Sequence, residues 1–269
     1  MRKIPDICRA VRDQKPLIHC ITNPISIHQC ANAVLAVGGR PIMAEHPAEV
    51  QEITATARAL MLNLGNITDV RMESMYLSAQ AAREGKIPIL LDAVGVACSR
   101  LRRSYTGRLL QAATPAVIKG NYSEIRALYR ENYCSSGVDA DAALDVQTLD
   151  RTAMDLARAY RTVILASGKV DIITDGEHLV HVKNGTPQLS EITGTGCMLG
   201  ALTAAYLAAQ PDMDAAVTAC VVLGICGQLA ETDSGSGSFQ VGLLDMLSTV
   251  GEAEIERYMD QEEIGNEEA

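Results

Sequence analysis

The chain is poor in aromatic rings. Its 269 residues include no tryptophan and a single phenylalanine, Phe239. A core of any size must therefore be built from alanine, valine, isoleucine, leucine and methionine. Hydrophobic residues make up 48% of the sequence, enough for such a core, which argues against a disordered chain. Positive charge is also scarce: 23 lysines and arginines stand against 33 acids, a net charge of −10. Nucleic acid and an anionic membrane are then poor default partners. ATP is not excluded, because backbone N–H groups and Mg²⁺ can meet its phosphates locally. The longest uncharged apolar stretch, near Gly200, stops at "QPDMD". That is short of the about 20 residues a membrane helix needs. The opening "MRKIPDICRAVRDQK" is charged throughout, unlike a secretory signal. The eight cysteines (8, 20, 30, 98, 134, 197, 220, 226) make no Cys-x-x-Cys pair and no zinc-finger spacing with histidine. They read as free thiols in a reducing cytoplasm.

What the sequence does have is alternation. Six short apolar runs end in glycine or a polar loop residue: 16–23, 40–44, 58–65, 87–95, 116–121 and 162–168. Runs of this kind suggest strands buried on both faces. Helical patterns lie between them at 26–39, 47–57, 69–86, 123–132 and 148–160, the fourth with Ser123 as its expected N-cap. Asp175-Gly176 between two alternating runs predicts a hairpin. Apolar helices are expected at about 197–209 and 213–231, and a last helix after 234–239. The expected fold is α/β in three layers, with a mostly parallel central sheet flanked by helices. Residues 1–258 are expected to form one domain, and the acidic stretch 259–269 to be a frayed tail.

In open parallel sheets, ligands bind beyond the carboxyl ends of the strands. Those ends here carry Asn23, Met43, Asn63-Leu64-Gly65, Asp92, Lys119-Gly120-Asn121 and Ser167-Gly168. Each glycine alone is ordinary turn chemistry; several strand ends of this type together shift the balance towards a site. A sharper feature is Thr193-Gly194-Thr195-Gly196-Cys197, which opens an uncharged helix. Helix-start N–H groups and the helix dipole favour an anion. The stretch lacks the Gly-Lys-Ser/Thr of a Walker A loop, and it follows a polar hairpin, unlike a dinucleotide fingerprint. An anion hole for phosphoryl transfer remains, with a simple tight turn as the plainer alternative.

These motifs in this order resemble the hydroxyethylthiazole kinase family, within the ribokinase-like superfamily. The resemblance rests on "IHCITNPIS", "CANAVLAVGGRPIMAEHPAEV", "LMLNLGNIT", "PILLDAVGV", "IKGNYSEI", "SGKVDIITDG", "NGTPQLSEITGTGCMLGA" and "GSGSFQVGLLDML", covering roughly residues 10–250. It implies transfer of the ATP γ-phosphoryl group to the hydroxyl of 4-methyl-5-(2-hydroxyethyl)thiazole, with Mg²⁺, in thiamine salvage. It also implies a homotrimer. By this resemblance Asn23 and Met43 contact the thiazole, and Gly194 lies near its hydroxyl. Lys119, Ser167 and Asn121 fall on the nucleotide side, and Asp92 and Glu124 near Mg²⁺. Gly194, Thr195, Gly196 and Cys197 form the anion hole and catalytic position. The chain departs from the family pattern at Ala93 (usually Pro), Lys119 (usually Arg), Ser167 (usually Thr) and Pro24. Lysine cannot reproduce the bidentate fork of arginine on a phosphate, and Pro24 stiffens the loop beside the expected pocket.

Each residue has a plainer reading. Free cysteines are usually inert and buried, whereas a helix start favours the thiolate. Asp92 could cap a turn, and Glu124 could be a first-turn acid. Met43 could be core and Asn23 a loop cap. An unpaired buried Lys119 would be costly, which favours a phosphate partner. The five histidines (19, 28, 46, 178, 181) do not cluster at metal spacing and read as structural. Competing functions are a kinase for another small alcohol (hydroxymethylpyrimidine or pyridoxal), a nucleotide-dependent NAD(P)H-hydrate dehydratase, and an inactive binding module.

Overall fold

The six apolar runs fold as β1 (Leu17–Ile21), β2 (Arg40–Ile42), β3 (Ala59–Asn63), β4 (Ile89–Asp92), β5 (Val117–Asn121) and β6 (Val163–Ser167). Three more strands follow: β7 (Asp171–Thr174), β8 (Leu179–Val182) and β9 (Gln261–Ile264). This is a computed structural model, and it describes residues 4–129 and 146–264. The strands form one sheet in the order β2-β1-β3-β4-β5-β6-β7-β8-β9. Pairing is parallel from β2 to β6 and antiparallel from β6 to β9. The Asp175-Gly176 hairpin joins β7 to β8, as expected.

In chain order the helices are α1 (Ile4–Gln14), α2 (Ile27–Ala36), α3 (Val50–Thr56), α4 (Asp69–Gly85), α5 (Arg100–Ala112) and α6 (Tyr122–Tyr129). They continue with α7 (Val146–Tyr160), α8 (Thr195–Leu207), α9 (Met213–Leu229), α10 (Ser236–Thr249) and α11 (Glu252–Tyr258). One core joins the sheet to α1, α2, α8, α9, α10 and α11. The opposite face carries two cores, one with α3, α4 and α5, the other with α6 and α7. Strand β3 shows why these runs do not alternate: Ala59 and Met61 belong to the first core, Leu60 and Leu62 to the second. The architecture is the expected three-layer α/β/α fold with a mostly parallel sheet.

Helix α9 is buried all round, which is why it shows no polar face. It packs against α8 and β7 and is covered by α1, α10 and α11. Among the described residues, no helix is long and apolar enough to cross a membrane.

Several expectations are corrected. Gln261–Ile264 does not fray: it extends the sheet as β9, antiparallel to β8. Ile264 packs on the α6–α7 core while Glu262 faces solvent and pairs with Lys183. Residues 265–269 lie outside the described residues, as do Cys134 and the part of the expected helix beyond residue 129. Helices α1, α5 and α11 were not expected. The N-cap of α6 is not Ser123: the Glu124 N–H donates to Asn121 Oδ1 (2.9 Å), and the Asn121 N–H to Glu124 Oε2 (2.7 Å). That reciprocal pair is a capping box.

Candidate active site

Register builds the floor of the site. Asn63 of β3 pairs with Asp92 of β4, and Asp92 with Lys119 of β5. Two residues earlier on each strand stand Met61, Leu90 and Val117, all in the core beneath α8. With a side-chain period of two, Asn63, Asp92 and Lys119 share that face at its carboxyl end. Helix α8 comes close to this floor because Gly200 has no side chain. A Cβ there would lie 2.9 Å from Met61 Cε, 3.1 Å from Leu90 Cδ2 and 3.3 Å from Asp92 Oδ2. One turn earlier, α8 delivers Cys197 over the polar row.

Lys119 Nζ donates to Asp92 Oδ1 at 3.0 Å, and Asn63 Nδ2 donates to Asp92 Oδ2 at 2.9 Å. Asn63 Nδ2 also reaches Cys197 Sγ at 3.4 Å, and Asn23 Nδ2 reaches the same sulfur at 3.2 Å. Lys119 Nζ lies 3.9 Å from where a Cβ on Gly196 would stand, so the ammonium sits beside the glycine loop. Asp92 is 0% exposed and Lys119 4%. Burial pushes the Asp92 carboxyl above its ordinary range, against the pull of Lys119 and the Asn63 amide. Burial would pull Lys119 down, but Asp92, then Cys197 and Glu124, carry it above its usual value. A pair this deep is sustained by its additional hydrogen bonds.

Glu124 is buried at the end of β5. One carboxylate oxygen takes part in the capping box with Asn121, and the other accepts the Gly95 N–H at 2.6 Å. It thus ties the loop after Asp92 to the end of β5. Burial, and then the charge of Asp92, pushes its carboxyl up to about 7. Ser167, paired with Asn121 across the sheet, donates its hydroxyl to Gly120 O at 3.4 Å.

Gly194 caps α8 at φ +98 with no side-chain hydrogen bond to the helix start. The first-turn N–H groups at 195–197 have no intrahelical acceptors. Thr195 itself does not face this opening: its hydroxyl donates to Leu189 O (2.7 Å) and Ile192 O (3.3 Å), bracing the turn that leads in. Met43 lies one residue past β2, half-buried against the first core. Its loop is held by His19, whose Nε2 donates to Ala44 O at 2.9 Å while Nδ1 accepts from the Thr54 hydroxyl at 2.8 Å. Burial lowers the His19 pKa, consistent with that neutral tautomer.

The structure therefore gathers Asn23, Asp92, Lys119, Gly196 and Cys197, with Glu124 and Asn121 on the adjoining loop. Met43 and Ser167 lie to either side without joining the hydrogen-bonded cluster around the sulfur. Two polar residues carry more than the sequence indicated. Asn63 is the hub between Asp92 and Cys197; its only sequence signal was an asparagine ending an apolar run. Asp171, read as the start of a hairpin strand, accepts the Gly168 N–H at 3.0 Å, and burial pushes it up to about 6.

Among the described residues, no group of three or more His, Cys, Asp and Glu side chains could hold a metal by itself. Asp92 and Glu124 still fit Mg²⁺ in chemistry. They are hard oxygen donors near enough for Asp92 to raise Glu124, and such sites are completed by water and phosphates.

A doubly covered parallel sheet, with a polar row at its carboxyl ends beneath an uncapped helix start, defines an α/β enzyme that handles phosphate. The model of the Hydroxyethylthiazole kinase family matches residues 8–253. Hydroxyethylthiazole kinase 2 of Clostridium botulinum is 44% identical over 251 residues, covering 91% of this chain and 95% of that protein. Hydroxyethylthiazole kinase 1 of Methanosphaera stadtmanae is 37% identical over 272 residues, with 95% of each chain covered. The solved structure of a hydroxyethylthiazole kinase protein from Pyrococcus horikoshii superposes with a TM-score of 0.91 at 33% identity, covering 98% of this chain and 100% of that one. The chain belongs to the hydroxyethylthiazole kinase family, and its architecture is ribokinase-like.

Proposed function

We propose that this chain transfers the γ-phosphoryl group of ATP to the hydroxyl of 4-methyl-5-(2-hydroxyethyl)thiazole, in thiamine salvage. The observation that carries the reading is the hydrogen-bonded Lys119–Asp92–Asn63–Cys197 cluster beneath the uncapped start of α8. Phosphoryl transfer needs an oriented nucleophile and stabilisation of charge on the transferring group. The N–H groups at 195–197 would cradle that group, and Lys119 would supply a cation beside it. Lys119, Ser167 and Asn121 line the nucleotide side, while Asn23, Met43 and Gly194 line the thiazole side. The alcohol oxygen bonds to the γ-phosphorus as the bond to the bridging oxygen breaks and ADP leaves. The hydroxyl proton passes to the sulfur of Cys197 in its thiolate form, which becomes the thiol. Asp92 and Glu124 would hold Mg²⁺, which supplies charge neutralisation on the phosphates when bound. Assembly as a homotrimer and a cytoplasmic location belong to the same reading.

The test is mass-spectrometric detection of phosphate transfer from ATP to hydroxyethylthiazole, pyridoxal and hydroxymethylpyrimidine side by side, with and without Mg²⁺. The expected result is thiazole phosphate as the dominant product, formed only with Mg²⁺. Faster phosphorylation of either other alcohol would overturn the substrate, and ATP hydrolysis with no phosphorylated alcohol would overturn the reaction.

A further inference from the structure

Asn63 is fully buried, and all its polar atoms are engaged. Its Oδ1 accepts the backbone N–H of Gly65 at 2.8 Å and Nδ2 of Asn23 at 3.3 Å. A backbone N–H can only donate, so the oxygen must lie on that side. The amide nitrogen is then turned into the site, where it meets Asp92 Oδ2 at 2.9 Å and Cys197 Sγ at 3.4 Å. The same logic fixes Asn23. Its Oδ1 accepts the N–H groups of Ile25 (3.1 Å) and Ser26 (3.2 Å), which leaves Nδ2 facing the sulfur at 3.2 Å. Neither carboxamide can be flipped without setting donor against donor. The sulfur of Cys197 therefore receives two N–H donors whose orientation the backbone sets.

We infer that Asn63 is a positioning residue for phosphoryl transfer: together with Asn23 it holds the Cys197 sulfur as a hydrogen-bond and proton acceptor and ties its place to the Asp92–Lys119 pair. With the sulfur as the thiolate, two of its three electron pairs are engaged by the fixed amides, and the third is available to the hydroxyl of the incoming alcohol. The Asp92 carboxylate and the sulfur share one amide, so the group near the phosphates and the group near the alcohol keep a set separation. Gly65 is part of this device. A Cβ there would lie 2.8 Å from Asn23 Nδ2 and 2.9 Å from Asn63 Oδ1, so only glycine lets the two amides meet under the sulfur.

The inference rests on the proposed kinase reaction, and its test has a readout that does not need that reaction. Iodoacetamide labelling of Cys197, followed by peptide mass spectrometry without substrates, measures how available the sulfur's electrons are. Asn63→Asp keeps the shape but replaces the donating amide with a carboxylate oxygen. Labelling of Cys197 is expected to slow at least tenfold and kcat to fall at least a hundredfold, with KM for ATP within threefold of the parent. Gly65→Ala leaves both asparagines in place but forces them apart; it is expected to act in the same direction with smaller effect, and it decides the matter if Asn63→Asp does not fold. Unchanged labelling in a folded variant, with or without a loss of kcat, overturns the positioning role. If the parent labels fast and both variants slowly, yet no alcohol is phosphorylated, the positioning of the sulfur stands and the assigned reaction fails.

Discussion

Cys197 is reached by two amide donors and stands at the mouth of α8, half-buried, whereas Cys20, Cys30, Cys220 and Cys226 are enclosed. Burial raises the thiols of those four, Cys30 to about 12, which suits inert core residues. If Cys197 takes or orients the hydroxyl proton, Cys197→Ser should lower kcat by about 10²-fold or more while ATP binding is retained. Cys197→Asp should keep more activity than the serine variant, because a carboxylate can still accept the proton. Steady-state kinetics with calorimetric ATP titration would check both, and full turnover in the serine variant would contradict the role. At this scale the sequence was only partly legible. Cys197, Asp92 and Lys119 could be singled out from their motifs. Asn63 could not, because an asparagine at a strand end is ordinary, and its role arises from register with Asp92 and from the approach of α8. Thr195 shows the converse: its motif position pointed to the phosphates, yet its hydroxyl is engaged by the preceding turn.

At the scale of elements, the glycine loop is held from behind. The Gln188 carboxamide bonds the backbone of Thr232 in both directions: Nε2 to Thr232 O at 2.8 Å, and Oε1 from the Thr232 N–H at 3.1 Å. Thr186 hydrogen-bonds Glu231 next to it. These contacts clip the 3₁₀ turn Pro187–Glu191, which leads into α8, onto the end of α9. Gln188→Ala should cost about 1 kcal/mol in stability and raise KM for ATP several-fold while sparing kcat; thermal melts and initial rates would show both. A fall in kcat with KM unchanged would place the effect elsewhere. Strands β1 and β3–β6 were readable in advance because burial on both faces makes a strand a plain apolar run. Helices α1, α5 and α11 were not. Helix α5 buries only Tyr105, Thr106, Leu109 and Ala112 and carries arginines over the rest of its surface, so its apolar face is thin. Strand β9 was hidden by its acids, which face solvent at the sheet edge.

For the molecule as a whole, two raised carboxyls set a pH dependence. Glu124 is raised to about 7 from 4.5, and Asp171 to about 6 from 3.8. A raised carboxyl keeps its proton longer when folded, so its contribution to stability is full below the unfolded value and is lost as pH rises through the folded one. His19 has the opposite sign: lowered by burial, its contribution is full above 6.5 and is lost as pH falls below that. Above pH 6.5 the raised carboxyls act, and His178, raised by its hydrogen bond and charge interaction with Asp175, adds in the same direction. The Tm of the protein without Mg²⁺ or nucleotide should therefore fall between pH 6.5 and 8, with Glu124 contributing at most about 1.4 kcal/mol per pH unit. Glu124→Ala should flatten that slope in scanning calorimetry; an equally steep slope in the variant would assign the effect to other groups.

The order of strands along the chain carries a consequence for synthesis. Strand β8 is complete at Val182, but its partner β9 begins only at Gln261, with the whole of α8, α9, α10 and α11 made in between. On the ribosome, β8 thus presents a bare hydrogen-bonding edge of Leu179, Val180, His181 and Val182 to every neighbouring nascent chain until the acidic strand emerges to close it.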